Sequence, residues 1–562
     1  MGTIAEKLTY LNETKSELKD SINNLGGNIT SETTFREYAT ELQDIYDNIP
    51  KASGEDSNLS LTTIKGRIQT DKLEGNTSQN GTPTPSTPIN IDVVTGEQVV
   101  KVENVNLYKG YYFTKTTGGI TFTYNTDGSV NASGTTSGSA STSMSLAEGL
   151  EHKFILRTGT YTLSGATAQM FIQIIDSSGN EVTITNATTF TKTFTLSENK
   201  EVFLRYRIPA NTNISGGITI YPMLQVGSTA TTYTPHQEQT QTISLSSKNL
   251  FDNTTTGLFC SGCTASLSND TITITATQNG DIYVGNVRAS GSSYVAERGT
   301  KIYVQPSTQY VVSLTNNAVN KIFITEFNNS NVSLGYTQAN TITTSANTSY
   351  ITIRYGLENA VNGTSYSTKI MVEKGSTATT YEQYYNIELC KIGNYQDYIY
   401  KSNDKWYKKG YIGKVVFTGA NSEGWVASRG TSPYVYEIAI NDYMRTNELT
   451  CICDHFLAVT NGTYGAMTDG QCRFRYYSDS NNMFYVCTTN STNVTNFKTW
   501  LASNNTDLRY VLATATDTEI TNTSLINQLN NIEKLMSYNG TTNISVSGNL
   551  PIILNVKALK GE

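Results

Sequence analysis

Apolar residues return every three or four positions at the start of the chain and at every second position almost everywhere after it. In the first 25 residues Ile4, Leu8, Leu11, Leu18, Ile22 and Leu25 fall at spacings of 4, 3, 7, 4 and 3, a heptad seam with Lys15 at the skipped position. Gly26-Gly27 stops that helix. Ser31 or a neighbouring Thr can cap a second one, whose Phe35, Tyr38, Leu42, Ile45 and Ile49 recur at helical spacing until Pro50 ends it. Helices this short are marginal unless their seams are buried, against each other or against other copies of the chain. The seam residues are therefore the expected oligomerisation contacts.

Beyond a polar linker over 51–60, strand alternation replaces the helical period. A short β connector built around the stiff Gly81-Thr82-Pro83-Thr84-Pro85 follows. In Val202–Ile208, Val202, Leu204, Tyr206 and Ile208 share one face and Phe203, Arg205 and Arg207 the other, so the first set is expected in a core. Ile351, Ile353 and Tyr355, with Arg354 on the opposite side, repeat the arrangement.

Gly227-Ser228-Thr229-Ala230-Thr231-Thr232-Tyr233 recurs letter for letter as Gly375-Ser376-Thr377-Ala378-Thr379-Thr380-Tyr381. Upstream, Met223-Leu224-Gln225 pairs in order with Met371-Val372-Glu373, Arg205-Tyr206 with Arg354-Tyr355, Phe171-Ile172 with Phe323-Ile324, and Asn106-Leu107-Tyr108 with Asn249-Leu250-Phe251. A period this long marks a duplicated domain, not a solenoid turn. The expected fold class is mainly β: tandem antiparallel β-sandwich, jelly-roll-like domains behind an N-terminal α-helical segment.

The expected division is a helical attachment or oligomerisation module over 1–50, a linker and small β connector over 51–103, sandwich repeats over 104–236 and 247–385, and a third β-rich domain over 390–518. A short helix capped by Thr523 and a terminal β-hairpin over 519–562 close the chain. A length of 562 residues requires several cores of this kind.

Composition narrows the function. A net charge of -7 offers no basic surface for phosphates, so no nucleic-acid partner is expected. No apolar run is long enough to span a bilayer, and the charged start is unlike a signal peptide, so neither membrane insertion nor signal-directed export is expected. Seven cysteines form no disulfide framework.

Candidate chemistry is sparse. Cys451, Cys453 and His455 alternate along one strand, with Cys472 and Cys487 elsewhere in the region, but the spacing is not that of a zinc motif and a core strand explains it. Cys260-Ser-Gly-Cys263 has no second pair to complete a metal site, which leaves a local disulfide or two free thiols. Three histidines give little scope for a nucleophile–base pair, and no two of the 47 acidic residues are paired by any motif. No catalytic residues, metal site or cofactor are expected. The 36 tyrosines suggest aromatic platforms for sugar rings, and Arg205, Arg354, Tyr111, Tyr112 and Tyr283 are the candidate glycan-binding residues.

Residues 1–50, Leu73-Glu74-Gly75-Asn76-Thr77 with the Gly81–Pro85 turn, the run Lys391-Ile392-Gly393-Asn394-Tyr395-Gln396-Asp397-Tyr398-Ile399-Tyr400, and the ending from Tyr510-Val511-Leu512-Ala513-Thr514 to Leu559 resemble tail and baseplate proteins of phages and prophages of Gram-positive, often gut, bacteria. The resemblance implies an N-terminal part docked to phage tail or baseplate proteins, β domains facing host cell-surface glycans, and a homotrimer. It also implies a virion location after assembly in the host cytoplasm and release by lysis. Rival expectations are a structural spacer without a receptor site, a surface-polysaccharide hydrolase and a bacterial adhesin.

Overall fold

The computed structural model describes residues 12–19, 29–30, 32–38, 51–53, 58–63, 66–136, 142–145, 153–252, 258–286, 299–475, 483–538, 540–547 and 551–558. The protein is mainly β, with antiparallel sheets stacked as β-sandwich domains behind a helix over 12–19. On that helix Leu18 is exposed, and the other seam residues, Ile4, Leu8, Leu11, Ile22 and Leu25, lie outside the described residues. The second helical start is capped at Thr34, whose N–H donates to Glu37 Oε2 at 2.6 Å, the returning half of a capping box.

A central body is assembled from segments far apart in the chain. Its larger sheet runs Lys51–Ser53, Pro551–Ala558, Gly66–Glu74, Tyr398–Ser402, Lys405–Phe417, Thr506–Glu519, Cys451–Cys453, and its smaller one Glu238–Ser244, Glu97–Glu103, Gly540–Ser547, Asn58–Thr63. Alternation along these strands sends Ile68, Val100, Val102, Ile243, Ile399, Trp406, Ile544 and Val546 into one core, which the helix Thr523–Ile532 closes with Leu525, Leu529 and Ile532. Trp406 stays there because its Nε1–H finds Asn530 Oδ1 at 2.8 Å.

Three expectations change here. The segment over 51–103 is not only linker and connector, since it supplies strands to both sheets of this body. The last two strands do not form a terminal hairpin: Gly540–Ser547 pairs with Asn58–Thr63 and Glu97–Glu103, whereas Pro551–Ala558 pairs with Lys51–Ser53 and Gly66–Glu74. Period-2 alternation shows which face of a strand is buried and says nothing about its neighbour. The closing helix is capped by Asn522, not Thr523, its side chain accepting from Leu525 N–H at 3.0 Å.

The two repeats leave and rejoin this body through paired necks. Glu103 faces Glu238 across the first, and Ser247 N–H donates to Tyr385 O at 2.9 Å across the second. Both repeats share one pairing scheme. Gly159–Ser164 lies between Lys192–Leu196 and Met223–Val226, as Gln309–Leu314 lies between Thr341–Thr343 and Ile370–Lys374. Lys200–Ile208 pairs with Phe171–Asp176 as Tyr350–Ala360 pairs with Lys321–Phe327. Val202, Leu204, Tyr206 and Ile208 are fully buried in the first core and Ile351, Ile353 and Tyr355 in the second, as the alternation requires.

The register corrects one alignment. Tyr206 opposes Ile172 and Tyr355 opposes Ile322, so Phe323 corresponds to Gln173, not to Phe171.

The seven-residue identity is accounted for by bonds within each repeat. Gly227 and Gly375, at φ +101° and +132°, turn the chain off the last strand into a conformation that favours glycine. Thr231 N–H then donates to Gln225 Oε1 at 3.0 Å, and Thr379 N–H to Glu373 Oε1 at 2.7 Å. Tyr233 donates to Asp127 O and Tyr381 to Asp270 Oδ2, tying the strap to the far hairpin.

In the third region a five-stranded sheet packs on a helix, Val494–Ser503, that the alternation did not announce. Asn493 caps it, and Phe497 and Leu501 bury against Trp425, Tyr436 and Phe456.

Candidate functional site

A cleft of about 680 Å³ opens between the second repeat and the third region. On the repeat side, Lys301 immediately precedes the short strand Ile302–Tyr303, and Tyr350 begins the neighbouring one. The tight turn after Lys321–Phe327, closed by Asn328 N–H to Val332 O at 3.1 Å, places Asn331 in the left-handed region at φ +60° over the cleft. Asn331 Oδ1 accepts from Lys301 Nζ at 3.0 Å and from Tyr350 Oη at 2.9 Å. Burial, and then Tyr303, pushes the Tyr350 phenol up to about 12, so it remains a neutral donor at physiological pH.

The opposite wall is a turn, Thr418 to Asn421, with Ala502 and Asn505 at the end of the helix Val494–Ser503. Glu423 holds this turn by accepting from Thr418 N–H at 2.7 Å, Gly419 N–H at 3.2 Å and Trp425 Nε1–H at 3.0 Å. Gly419, at φ +70°, is required, because a Cβ there would stand 1.9 Å from Lys498 O. The described lining combines two tyrosines 6.0 Å apart with one lysine, four asparagines and no carboxylate. Such a lining can stack and hydrogen-bond a polar ring compound, and its described residues hold no pair of carboxylates.

Of the residues expected to bind glycan, two come together. The Arg354 guanidinium lies 4.8 Å from the Tyr283 ring and 3.9 Å from Phe323, on the face of the sheet that also carries Tyr350. Arg205 holds the equivalent place in the first repeat, but opposite Gln173, an amide where the second repeat has Phe323. Tyr111 and Tyr112 lie elsewhere, on the chain leading into Phe113–Thr117, which belongs to another sheet; Tyr112 is exposed and Lys109 Nζ stands 5.8 Å from the Tyr111 ring. Lys301, Tyr303, Asn331 and Tyr350 were not anticipated. Their sequence signal is faint: a lysine and a tyrosine two residues apart at 301 and 303, and an Asn-rich turn.

The cysteines do not gather with His455. Cys451, Cys453 and Cys472 are wholly buried together, and burial followed by the two neighbouring thiols pushes the Cys472 thiol well up. His455 turns away to Asp454 Oδ1 at 2.7 Å and sits edge-on to Trp500. Cys487 is held by Arg429 in a separate cluster. Cys260 and Cys263 are free thiols, and the hydrogen bond from Cys263 brings Cys260 down to about 7.

No family model matches the chain, and no curated protein matches it. Among solved structures, an arginine-to-alanine mutant of the Bacillus subtilis oxalate decarboxylase aligns with 49% of this chain and 77% of its own, at 7% identity and a TM-score of 0.10. That likeness is too slight to carry an argument.

Proposed function

We propose that the protein is a phage tail fibre or receptor-binding protein that binds host cell-surface glycans without turning them over. The observation that carries this reading is the cleft lined by Lys301, Tyr303, Asn331 and Tyr350, whose aromatic faces and amides suit a sugar and whose described lining lacks the paired carboxylates of a glycosidase. The sequence resemblance supports the remainder: attachment to tail or baseplate proteins through the N-terminal part, a homotrimer joined at the heptad seam, and a place in the virion tail. Three copies of a weak site would give useful avidity on a glycan-coated cell. The test is a glycan array probed with the full chain and with Tyr303→Ala. Signal lost in the variant supports the reading, and equal signal from both removes the cleft from it.

A second reading is a structural spacer whose receptor reader is another protein. It is favoured by the repeated seven-residue motif, whose Thr231 and Thr379 backbone N–H groups and Tyr381 hydroxyl bond inside each repeat.

A further inference from the structure

The neck of the first repeat brings together three groups that no part of the glycan reading uses. Glu103 ends one strand and Glu238 begins the strand paired with it, directly opposite; His236, two residues before Glu238, faces the same side. The His236 ring is 6% exposed, and its Nε2 lies 3.4 Å from Glu238 Oε2 and 3.9 Å from Glu103 Oε1. Its Nδ1 is 2.7 Å from Asn106 O. A carbonyl oxygen can only accept, so Nδ1 carries a proton, and in the neutral form of the ring the lone pair is at Nε2. That lone pair confronts two carboxylate oxygens. Acceptors facing one another at this short range, one of them on the buried Glu103 and one on Glu238, whose side chain is 25% exposed, repel unless a positive charge lies among them.

We propose that Glu103, His236 and Glu238 form a divalent-cation site, suited to zinc, that staples together the two chain crossings joining the first repeat to the central body. One imidazole nitrogen and two carboxylate oxygens are a donor set that zinc takes, leaving its fourth position open. Ligand atoms about 2.0–2.2 Å from a tetrahedral ion stand roughly 3.3–3.6 Å apart; the two separations from His236 Nε2 are 3.4 and 3.9 Å, and all three atoms lie within 4.8 Å of one another. The bond from Nδ1–H to the Asn106 carbonyl is the outer contact that fixes the tautomer of a ligating histidine. Asn106 also bonds by its side chain to Thr234 O at 3.0 Å, so the ring is held on a fixed strap.

Two lysines already answer to the negative charge. Lys101 Nζ lies 2.6 Å from Glu103 Oε1 and 3.4 Å from Glu238 Oε2, and Lys109 pairs with Glu238 Oε1. Lys101 sits on the two oxygens that face the histidine, so it competes with an ion for that place. Its side chain is 36% exposed, and rotation into solvent clears the site without movement of the backbone. The competition yields a signature that a merely structural ion-pair network would not produce: removing Lys101 tightens metal binding, while removing His236 weakens it.

The experiment uses untagged, full-length protein stripped with chelator, titrated with zinc and separately with manganese by calorimetry, with circular dichroism to verify folding. One zinc per chain is expected in the wild type, with affinity at least tenfold tighter in Lys101→Met and at least tenfold weaker in His236→Ala. Glu103→Gln, which keeps the shape of the side chain, should weaken binding similarly and serves if His236→Ala fails to fold. The proposal is overturned if the wild type binds neither metal stoichiometrically, even where Lys101→Met does, or if His236→Ala or Glu103→Gln binds within twofold of wild type.

Discussion

Asn106 and Asn249 stand at equivalent points of the two repeats and make the same bonds: each side-chain oxygen accepts the N–H two residues on, from Tyr108 at 3.0 Å and Phe251 at 2.9 Å, and a second N–H from the last strand, Leu224 at 3.3 Å and Val372 at 3.0 Å. Both asparagines are buried, and each side-chain NH2 donates to the strap that leaves the repeat. Asn106→Ala or Asn249→Ala therefore strands buried backbone donors, each worth about 1–3 kcal/mol. A loss of roughly 2–4 kcal/mol, confined to the repeat that carries the change, is expected in denaturant unfolding followed by hydrogen exchange.

Tyr303 is 67% exposed at the mouth of the cleft and its ring centroid lies 6.0 Å from that of Tyr350. Tyr303→Ala should change stability by less than about 0.5 kcal/mol, as an exposed substitution does. Loss of one stacking face, about 1.4 kcal/mol, would weaken glycan binding about tenfold. Calorimetry with a glycan selected on the array checks the affinity, and thermal unfolding checks that the fold is untouched.

Gly419→Ala meets both a left-handed backbone and a 1.9 Å contact with Lys498 O on the helix Val494–Ser503. Since the clash is with backbone, the helix or the turn must shift, and a loss of at least about 1 kcal/mol is expected. Faster hydrogen exchange over that helix, with a weakened cleft, would accompany it.

Arg509 is buried between Glu388 and Asp507, donating Nη1 to Glu388 Oε2 and Nε to Asp507 Oδ1 at 2.9 Å. Burial alone would push the Glu388 carboxyl up, but the Arg509 hydrogen bond and the Arg509 and Lys414 charges outweigh it and hold it below its ordinary value near 4.5. A carboxyl lowered in the folded state stabilises the protein above the unfolded-state value and loses that contribution as pH falls below it. Wild-type stability should thus decline below about pH 4.5, and Glu388→Gln should decline less steeply from a lower starting point. Urea midpoints measured from pH 7 to pH 3 provide the comparison; parallel declines would show that Glu388 carries none of the effect.

How much of this was legible depends on the range of the interaction. The core face of Val202–Ile208 was, because adjacent residues on a strand point to opposite sides and one set is aliphatic. The helix Val494–Ser503 was not, since only Phe497 and Leu501 of its ten residues are buried and so short a stripe is lost among Thr and Asn. The cleft was invisible for a different reason. Lys301, Asn331 and Tyr350 are brought to one point by the lead-in to one strand, a turn and the start of another strand of one repeat, and Gly419 and Asn421 by another region, with no spacing rule connecting them.

The sequence by itself determined the periodic parts: strands with one buried face, a duplicated unit, and the core face of one strand in each repeat, all set by contacts between near neighbours and by the pleat. Only the tertiary structure decided that Gly66–Glu74 lies between Tyr398–Ser402 and Pro551–Ala558, and that Glu238 faces Glu103. Any alternating strand can pair with any other of matching face. The choice among them is made by the summed burial of a core drawn from the whole chain, a quantity no local window contains.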